Sequence, residues 1–168
     1  MTPRITVMPQ SVFDTRMRDL GINDSNVSTE HSNDAFISII GTPECLSYYL
    51  DEGDTEHYFK ESHDNVLNLE FDDIPCDEYD YHGHTFKGLS MEQAKQIYDF
   101  VEANKGKNFW IHCRAGRSRS MAVGQYIKYF YPDIYTNNYD TLMEGCNKDV
   151  YRKISRVFYE EKDIYQDE

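Results

Sequence analysis

At 168 residues, with 39% hydrophobic and 28% charged side chains, the chain has the length and composition of one globular domain able to bury a core, which excludes an intrinsically disordered protein. Thirty acidic against 17 basic residues leave a formal net charge of −13, which argues against a general nucleic-acid binder and against a protein held on anionic lipid by a basic surface. The four cysteines, Cys45, Cys76, Cys113 and Cys146, show no C-x-x-C spacing, so neither a zinc knuckle nor a thioredoxin-type motif is supported.

The chain opens "MTPRITVMPQ" without an apolar signal core, and no run approaches transmembrane length. The expected setting is therefore cytoplasmic, with free thiols and no membrane partner. "RITVM" (4–8) is a short β-branched run that predicts a strand, and "SVFDTRMRDLG" a short helix ending at Gly21. "AFISII" (35–40) is nearly continuous in apolar residues, the pattern of a buried strand, and "NVLNLEF" (65–71) predicts another. Between and after them, "DEGDTEHYFKESHD" and "DDIPCDEYDYHGHTFKG" read as long polar loops.

Ser90 and Gln93 then fit a capping box, followed by Met91, Ala94, Ile97, Tyr98 and Val101 at helical spacing. "KNFWIHC" predicts a strand, "SRSMAVGQYIKYFY" an apolar helix stopped before Pro132, and "KDVYRKISRVFYEE" a last helix with a fraying, solvated end beyond it. Strands alternating with helices, without repeats or linkers, predict a single domain over residues 1–168. Its fold class is a three-layer α/β/α domain with a central, mostly parallel sheet.

The chemistry concentrates in "HCRAGRSRS" (112–120), where an apolar strand gives way to a helix. In α/β sheets that junction is where ligands bind. Arg114, Ala115, Gly116, Arg117 and Ser118 can wrap as a loop of inward-facing N–H groups, with Gly116 permitting the turn. A nest of N–H groups at a helix N-terminus holds an anion, and Arg119 would add a bidentate clamp, so the expected ligand is a phosphate-like oxyanion. The same field favours thiolate at Cys113. His112 would order the loop, and Ser120 would donate to the sulfur and stabilise it again as it leaves.

These nine residues match H-C-x5-R-S/T, the signature of the cysteine-dependent protein tyrosine phosphatase superfamily, and the chain length resembles the compact dual-specificity branch. The resemblance implies that branch's fold and a phosphate monoester hydrolase working without metal or other cofactor. In that reading Cys113 is the nucleophile, Arg119 the phosphate clamp, Ser120 the hydroxyl assisting thiolate departure and His112 the structural partner of the loop. A leaving oxygen needs a proton, and a carboxylic acid on a neighbouring loop is the natural donor. Family members carry it on a movable loop after the preceding strand, and compact relatives with P-F-D-D or P-F-E-D use the second acidic residue. "EFDDIP" is similar, which selects Asp73, with Asp72 as runner-up. The acidic residues after the strand are Asp72, Asp73, Asp77, Glu78 and Asp80. Asp73 lies 40 residues before Cys113, a longer gap than is usual in small members, and the extra length leaves Asp77 or Asp80 open.

The resemblance implies a phosphorylated protein as partner, with phosphotyrosine foremost and phosphoserine and phosphothreonine also open. Arg114 and Arg117 leave a second substrate class open, because charge at those loop positions resembles phosphoinositide and phosphatidylglycerophosphate phosphatases. A 5′-triphosphate RNA end is disfavoured by the acidity. A pseudophosphatase that binds without turnover is the non-enzyme reading. Cys45 or Cys76 as a thiol resolving oxidised Cys113 is weighed against simple packing, and His82 and His84 read as exposed loop residues rather than metal ligands.

Overall fold

The β-branched and apolar runs become strands, and the amphipathic stretches between them become the helices that cover both sheet faces. The computed structural model describes residues 2–48, 56–136 and 145–163. In chain order these form β1 (Ile5–Pro9), α1 (Gln10–Asp19), β2 (Asp34–Ile40), α2 (Pro43–Tyr48), β3 (Val66–Glu70), β4 (Glu78–Tyr81), β5 (His84–Lys87), α3 (Met91–Asn104), β6 (Asn108–Cys113), α4 (Arg119–Phe130) and α5 (Lys148–Glu161). Four strands make one wholly parallel sheet in the order β1-β6-β2-β3. Parallel neighbours need crossovers, and the helices supply them.

Period-2 alternation sorts each strand between two cores. On one face Ile37, Ile39, Phe109, Ile111 and Cys113 pack with the apolar sides of α3, α4 and α5. On the other, Phe36 and Met8 meet Phe13 and Met17 of α1 together with Ile22, Val27 and Phe59. Both faces are covered, which is why the 35–40 run is apolar throughout. The molecule is thus the three-layer α/β/α domain with a central parallel sheet that the sequence predicts.

The capping box at α3 is present in both directions: Gln93 N–H donates to Ser90 Oγ and Ser90 N–H to Gln93 Oε1. The helix predicted up to Gly21 runs Gln10–Asp19, with Gly21 beyond it at φ 69°. Beyond α5, residues 164–168 lie outside the described residues, and so does part of the first predicted loop, 51–55.

Two expectations need correction. The stretch 72–88 is not simply a loop, because it carries the antiparallel hairpin β4–β5. Its turn is His82-Gly83, both in the left-handed region at φ 50° and 78°, as a two-residue hairpin turn requires. The "GTP" that bounds β2 starts α2, with Pro43 at the first helical position, where its missing N–H costs nothing.

Candidate active site

Cys113 ends β6, one of the two inner strands, and Arg119 begins α4, so residues 114–118 turn at the carboxyl edge of the sheet. Gly116 lies at φ 67°, and a Cβ there would come within 2.5 Å of the Met8 and Pro9 backbone, so only glycine fits this close approach. The loop's carbonyls are taken up on its outside. Gln10 N–H donates to the Arg114 carbonyl at 3.3 Å, while the Asn147 and Ala122 N–H groups donate to the Ser118 carbonyl at 3.2 and 3.0 Å. Inside, the Ser118 and Ser120 N–H groups reach the sulfur of Cys113.

That sulfur is buried, with Ser120 Oγ 3.0 Å away. Burial alone would push the thiol up. The Ser120 hydroxyl, the Ser120 N–H, the Arg119 charge and the Ser118 N–H together outweigh it, and the Cys113 pKa falls below its ordinary value. Arg119 itself is buried. Its Nη1 donates to the Phe71 carbonyl at 2.8 Å, while its Nε, also buried, has no acceptor among the described residues. A guanidinium N–H left so is a donor that an oxyanion would satisfy.

His112 packs on the opposite sheet face from Cys113. Ser38 is its register partner on β2, and the Ser38 hydroxyl lies 2.7 Å from His112 Nε2 and 2.6 Å from His57 Nδ1. Burial above all drives the His112 pKa down to about 3. A backbone hydrogen bond to Cys113 opposes this, while His57 and Arg119 reinforce it. Burial likewise takes His57 to about 4, with Lys60 adding to it. Two neutral imidazoles bridged by one hydroxyl therefore brace the strand that presents the cysteine. The sequence predicts that His112 orders the loop through its ring, whereas its Nε2 here meets Ser38 on the opposite sheet face.

The carboxylates separate clearly. Asp72 is buried, and its oxygens accept from the Thr42 N–H (2.9 Å), the Thr42 hydroxyl (2.8 Å) and the Lys87 N–H (2.7 Å). Its acceptor sites are occupied by the structure around it. Asp73 is exposed beside the loop, with one oxygen accepting from Ser118 Oγ at 2.7 Å and Asn147 Nδ2 at 2.9 Å. Asp77 pairs outward with Lys153 at 2.6 Å, which holds its carboxyl below the usual range. Asp80 accepts from Thr85, and Glu78 stands exposed on β4.

A cavity of about 320 Å³ opens over the loop. Cys113, Arg114, Ala115, Ser118 and Arg119 form its floor, with Asp72 and Asp73 at one side. Ile40, Leu46, Ile74 and Phe86 make an apolar wall. Gly116 and the exposed Arg117 complete the turn outside that lining, and Ser120 is buried behind it. No family model, curated protein or solved structure matches the chain. What the site can do follows from its own chemistry.

Sequence reasoning missed four residues here. Asn147 is nearly buried and joins three elements: its Oδ1 caps α5 by accepting from the Asp149 and Val150 N–H groups, and its Nδ2 donates to Asp73 and to the Ile74 carbonyl. Its cap role was readable from the helix that follows, but not its link to Asp73. Gln10 lines the cavity, and Ser38 and His57 brace His112. No local pattern marks them.

The remaining features sort as follows. Cys45 also lines the cavity, and burial, then the neighbouring Asp72, pushes its thiol up to about 12, so its chemistry is that of a neutral wall residue. All four cysteines are free. His82 and His84 sit at the hairpin end, outside any group of three ligand atoms. Among the described residues the one such group is Asp24, Glu61 and His63, where Asp24 already accepts from the Lys60 and Glu61 N–H groups and pairs with His63. Among the described residues no helix is long and apolar enough to cross a membrane.

Proposed function

We propose that this protein is a phosphate monoester hydrolase acting through a cysteinyl-phosphate, on phosphotyrosine in proteins, of the cysteine-dependent dual-specificity type. The observation that carries the reading is Cys113. It is a buried thiol with a depressed pKa that lines a cavity together with Arg119, whose buried Nε–H has no acceptor among the described residues. A phosphate dianion would sit on the loop amides and Arg119, with its charge neutralised by the chain's own groups. The Cys113 thiolate attacks phosphorus in line, forming the S–P bond as the ester P–O bond breaks. The Asp73 carboxyl gives its proton to the departing oxygen. Its carboxylate then takes a proton from water, the water oxygen bonds to phosphorus, and the S–P bond breaks. The electron pair returns to sulfur as a thiolate, to which the Ser120 hydroxyl donates a hydrogen bond, and inorganic phosphate leaves.

The apolar wall favours an aryl ester. Ile40, Leu46, Ile74 and Phe86 offer a phenyl ring the burial that a polyol would not use. A second reading, an inositol or lipid phosphate, is favoured by one observation: Arg114 lines the cavity, where a second phosphate would meet it. Phosphate release in EDTA and reductant from phosphotyrosine peptides, phosphothreonine peptides and soluble phosphoinositides tests both. The expected result is fastest turnover of phosphotyrosine, abolished by Cys113→Ser. Preferential turnover of phosphoinositides would replace the first reading with the second. Tight binding of phosphopeptide without release would make the protein a phospho-binding module.

A further inference from the structure

We propose that the β4–β5 hairpin is a docking shelf for the substrate chain, and that it selects phosphoprotein segments carrying arginine or lysine next to the phosphorylated residue. The inference rests on the phosphatase reading above and adds the recognition outside the pocket.

The hairpin stands against the cavity by one residue and one edge. Register pairs Tyr79 with Phe86 and Tyr81 with His84, so these four side chains share one face, with Glu78, Asp80, Thr85 and Lys87 on the other. Phe86 is buried and forms part of the cavity wall. Tyr79, directly across from it, is therefore about 5 Å away along the sheet. Tyr79 is nonetheless 51% exposed and Tyr81 43%, and their rings stack on each other at 6.1 Å and 20°. With the Tyr48 ring of α2, 5.9 Å from Phe86 and 6.0 Å from Tyr81, these half-exposed aromatics continue the wall of the pocket outward.

The two edges of the hairpin differ. The outer edge of β5 is used up: Lys87 exchanges backbone contacts with Asp72, and the Thr85 N–H donates to Glu44 Oε1. These bonds fix the hairpin to the loop that carries Asp73 and to α2. On β4 all four residues are exposed. The Gly88 N–H bonds to the Asp77 carbonyl, so alternation aims the Glu78 and Asp80 backbones away from β5, where the Cys76 thiol donates weakly to the Glu78 carbonyl at 3.2 Å. An extended peptide that leaves the pocket past Phe86 and crosses the Tyr79 face reaches this edge.

Charge decides what the peptide carries. Glu78 and Asp80 lie on that strand, and Glu44 at the β5 edge is 46% exposed at its side chain, against the single Lys87 of the hairpin. A strand added at this edge would lay alternate side chains against Glu78 and Asp80 on one face and against Tyr79 and Tyr81 on the other. Carboxylates and aromatic faces both attract guanidinium and ammonium groups, Arg above Lys, and carboxylates repel acidic flanks. The net charge of −13 works in the same direction at longer range.

The test compares kcat/KM at low salt for phosphotyrosine peptides flanked by arginine, glutamine or glutamate, with p-nitrophenyl phosphate as a substrate too small to reach the shelf. Wild type should prefer the arginine peptide over the glutamine one by about three- to tenfold. Tyr79→Ser with Tyr81→Ser should erase that preference, and so should the near-isosteric Glu78→Gln with Asp80→Asn, which spares the aromatic face. Turnover of p-nitrophenyl phosphate should stay unchanged in both. Equal rates on all three peptides, or a preference that survives both double variants, would overturn the shelf while p-nitrophenyl phosphate turnover kept the phosphatase reading intact. No turnover of p-nitrophenyl phosphate or any peptide would sink that reading, and the shelf with it.

Discussion

The Cys113 pKa is lowered because four small contributions beat one large one. Burial opposes the thiolate, yet the Ser120 hydroxyl, two backbone N–H groups and Arg119 reverse the balance. The Ser120 contact can be removed cleanly, since its hydroxyl lies 3.0 Å from the sulfur and its N–H remains in alanine. In Ser120→Ala the pH midpoint of Cys113 alkylation by iodoacetamide should therefore move upward, by about one pH unit, toward the ordinary thiol value of about 8.5. Turnover should fall as well, because the departing thiolate loses its donor. An unmoved midpoint would mean that backbone and Arg119 suffice. These residues were all legible in sequence because the loop is contiguous: one glycine, one arginine and one serine at fixed offsets from a cysteine need no tertiary information. Asp73 was legible only by resemblance, and what sets it apart from Asp72 is three-dimensional. Three donors close around one carboxylate, while Ser118 and Asn147 steer the other toward the loop.

At the scale of elements, the site is an agreement between a strand end and two helix starts. α4 begins at Arg119 itself, and the α5 cap residue Asn147 reaches back to Asp73 with its other amide atom. The two jobs of Asn147 can be separated by substitution. Serine keeps a capping oxygen but cannot reach Asp73, whereas alanine loses both, with about 1 kcal/mol more lost from stability. Asn147→Ser should thus lower kcat about tenfold with KM little changed, and should do so more for phenyl phosphate than for p-nitrophenyl phosphate, whose leaving group needs less protonation. Equal losses on both esters, tracking a fall in Tm, would make Asn147 a cap and nothing else. The main elements were readable because their patterns are long and both-sided: the unbroken 35–40 run, the Ser90 capping box, the helix over 148–161. The hairpin was not, because its strands are four residues each and mostly exposed, so polar composition reads as loop. Only "HG" between two alternating runs marks it, a weaker turn signal than Asn-Gly. α2 spans six residues and has no buried residue to give it a periodicity.

For the whole molecule, the two cores on either sheet face make pH the natural probe of how the site is braced. His112 and His57 are neutral in the folded protein down to about 3 and 4, while in the unfolded chain each binds a proton near 6.5. Between those values the unfolded state holds more protons than the native one, so stability is full above about pH 6.5 and is lost as pH falls below it. For the fully buried His112 the loss approaches about 1.4 kcal/mol per pH unit, and less for the part-exposed His57, whose charge water screens. Carboxylates act in a lower window. Burial raises Asp24 and Glu102, but hydrogen bonds at Lys60, His63 and Glu61 in one case, and Lys162 and Lys105 in the other, leave both below their ordinary values. Their contribution goes only below about pH 4.5. A third effect has the opposite sign: with a net charge of −13, acidification first relieves self-repulsion. Salt at about 0.5 M screens that repulsion and leaves the buried imidazoles almost untouched. Urea unfolding at that salt should therefore show stability falling between pH 6.5 and 5, before the carboxylates titrate, and His57→Gln, whose amide can still meet Ser38, should make the fall shallower. A flat profile down to pH 5 would mean that His112 charges in the folded protein, and that the strand presenting Cys113 is not held by a neutral relay.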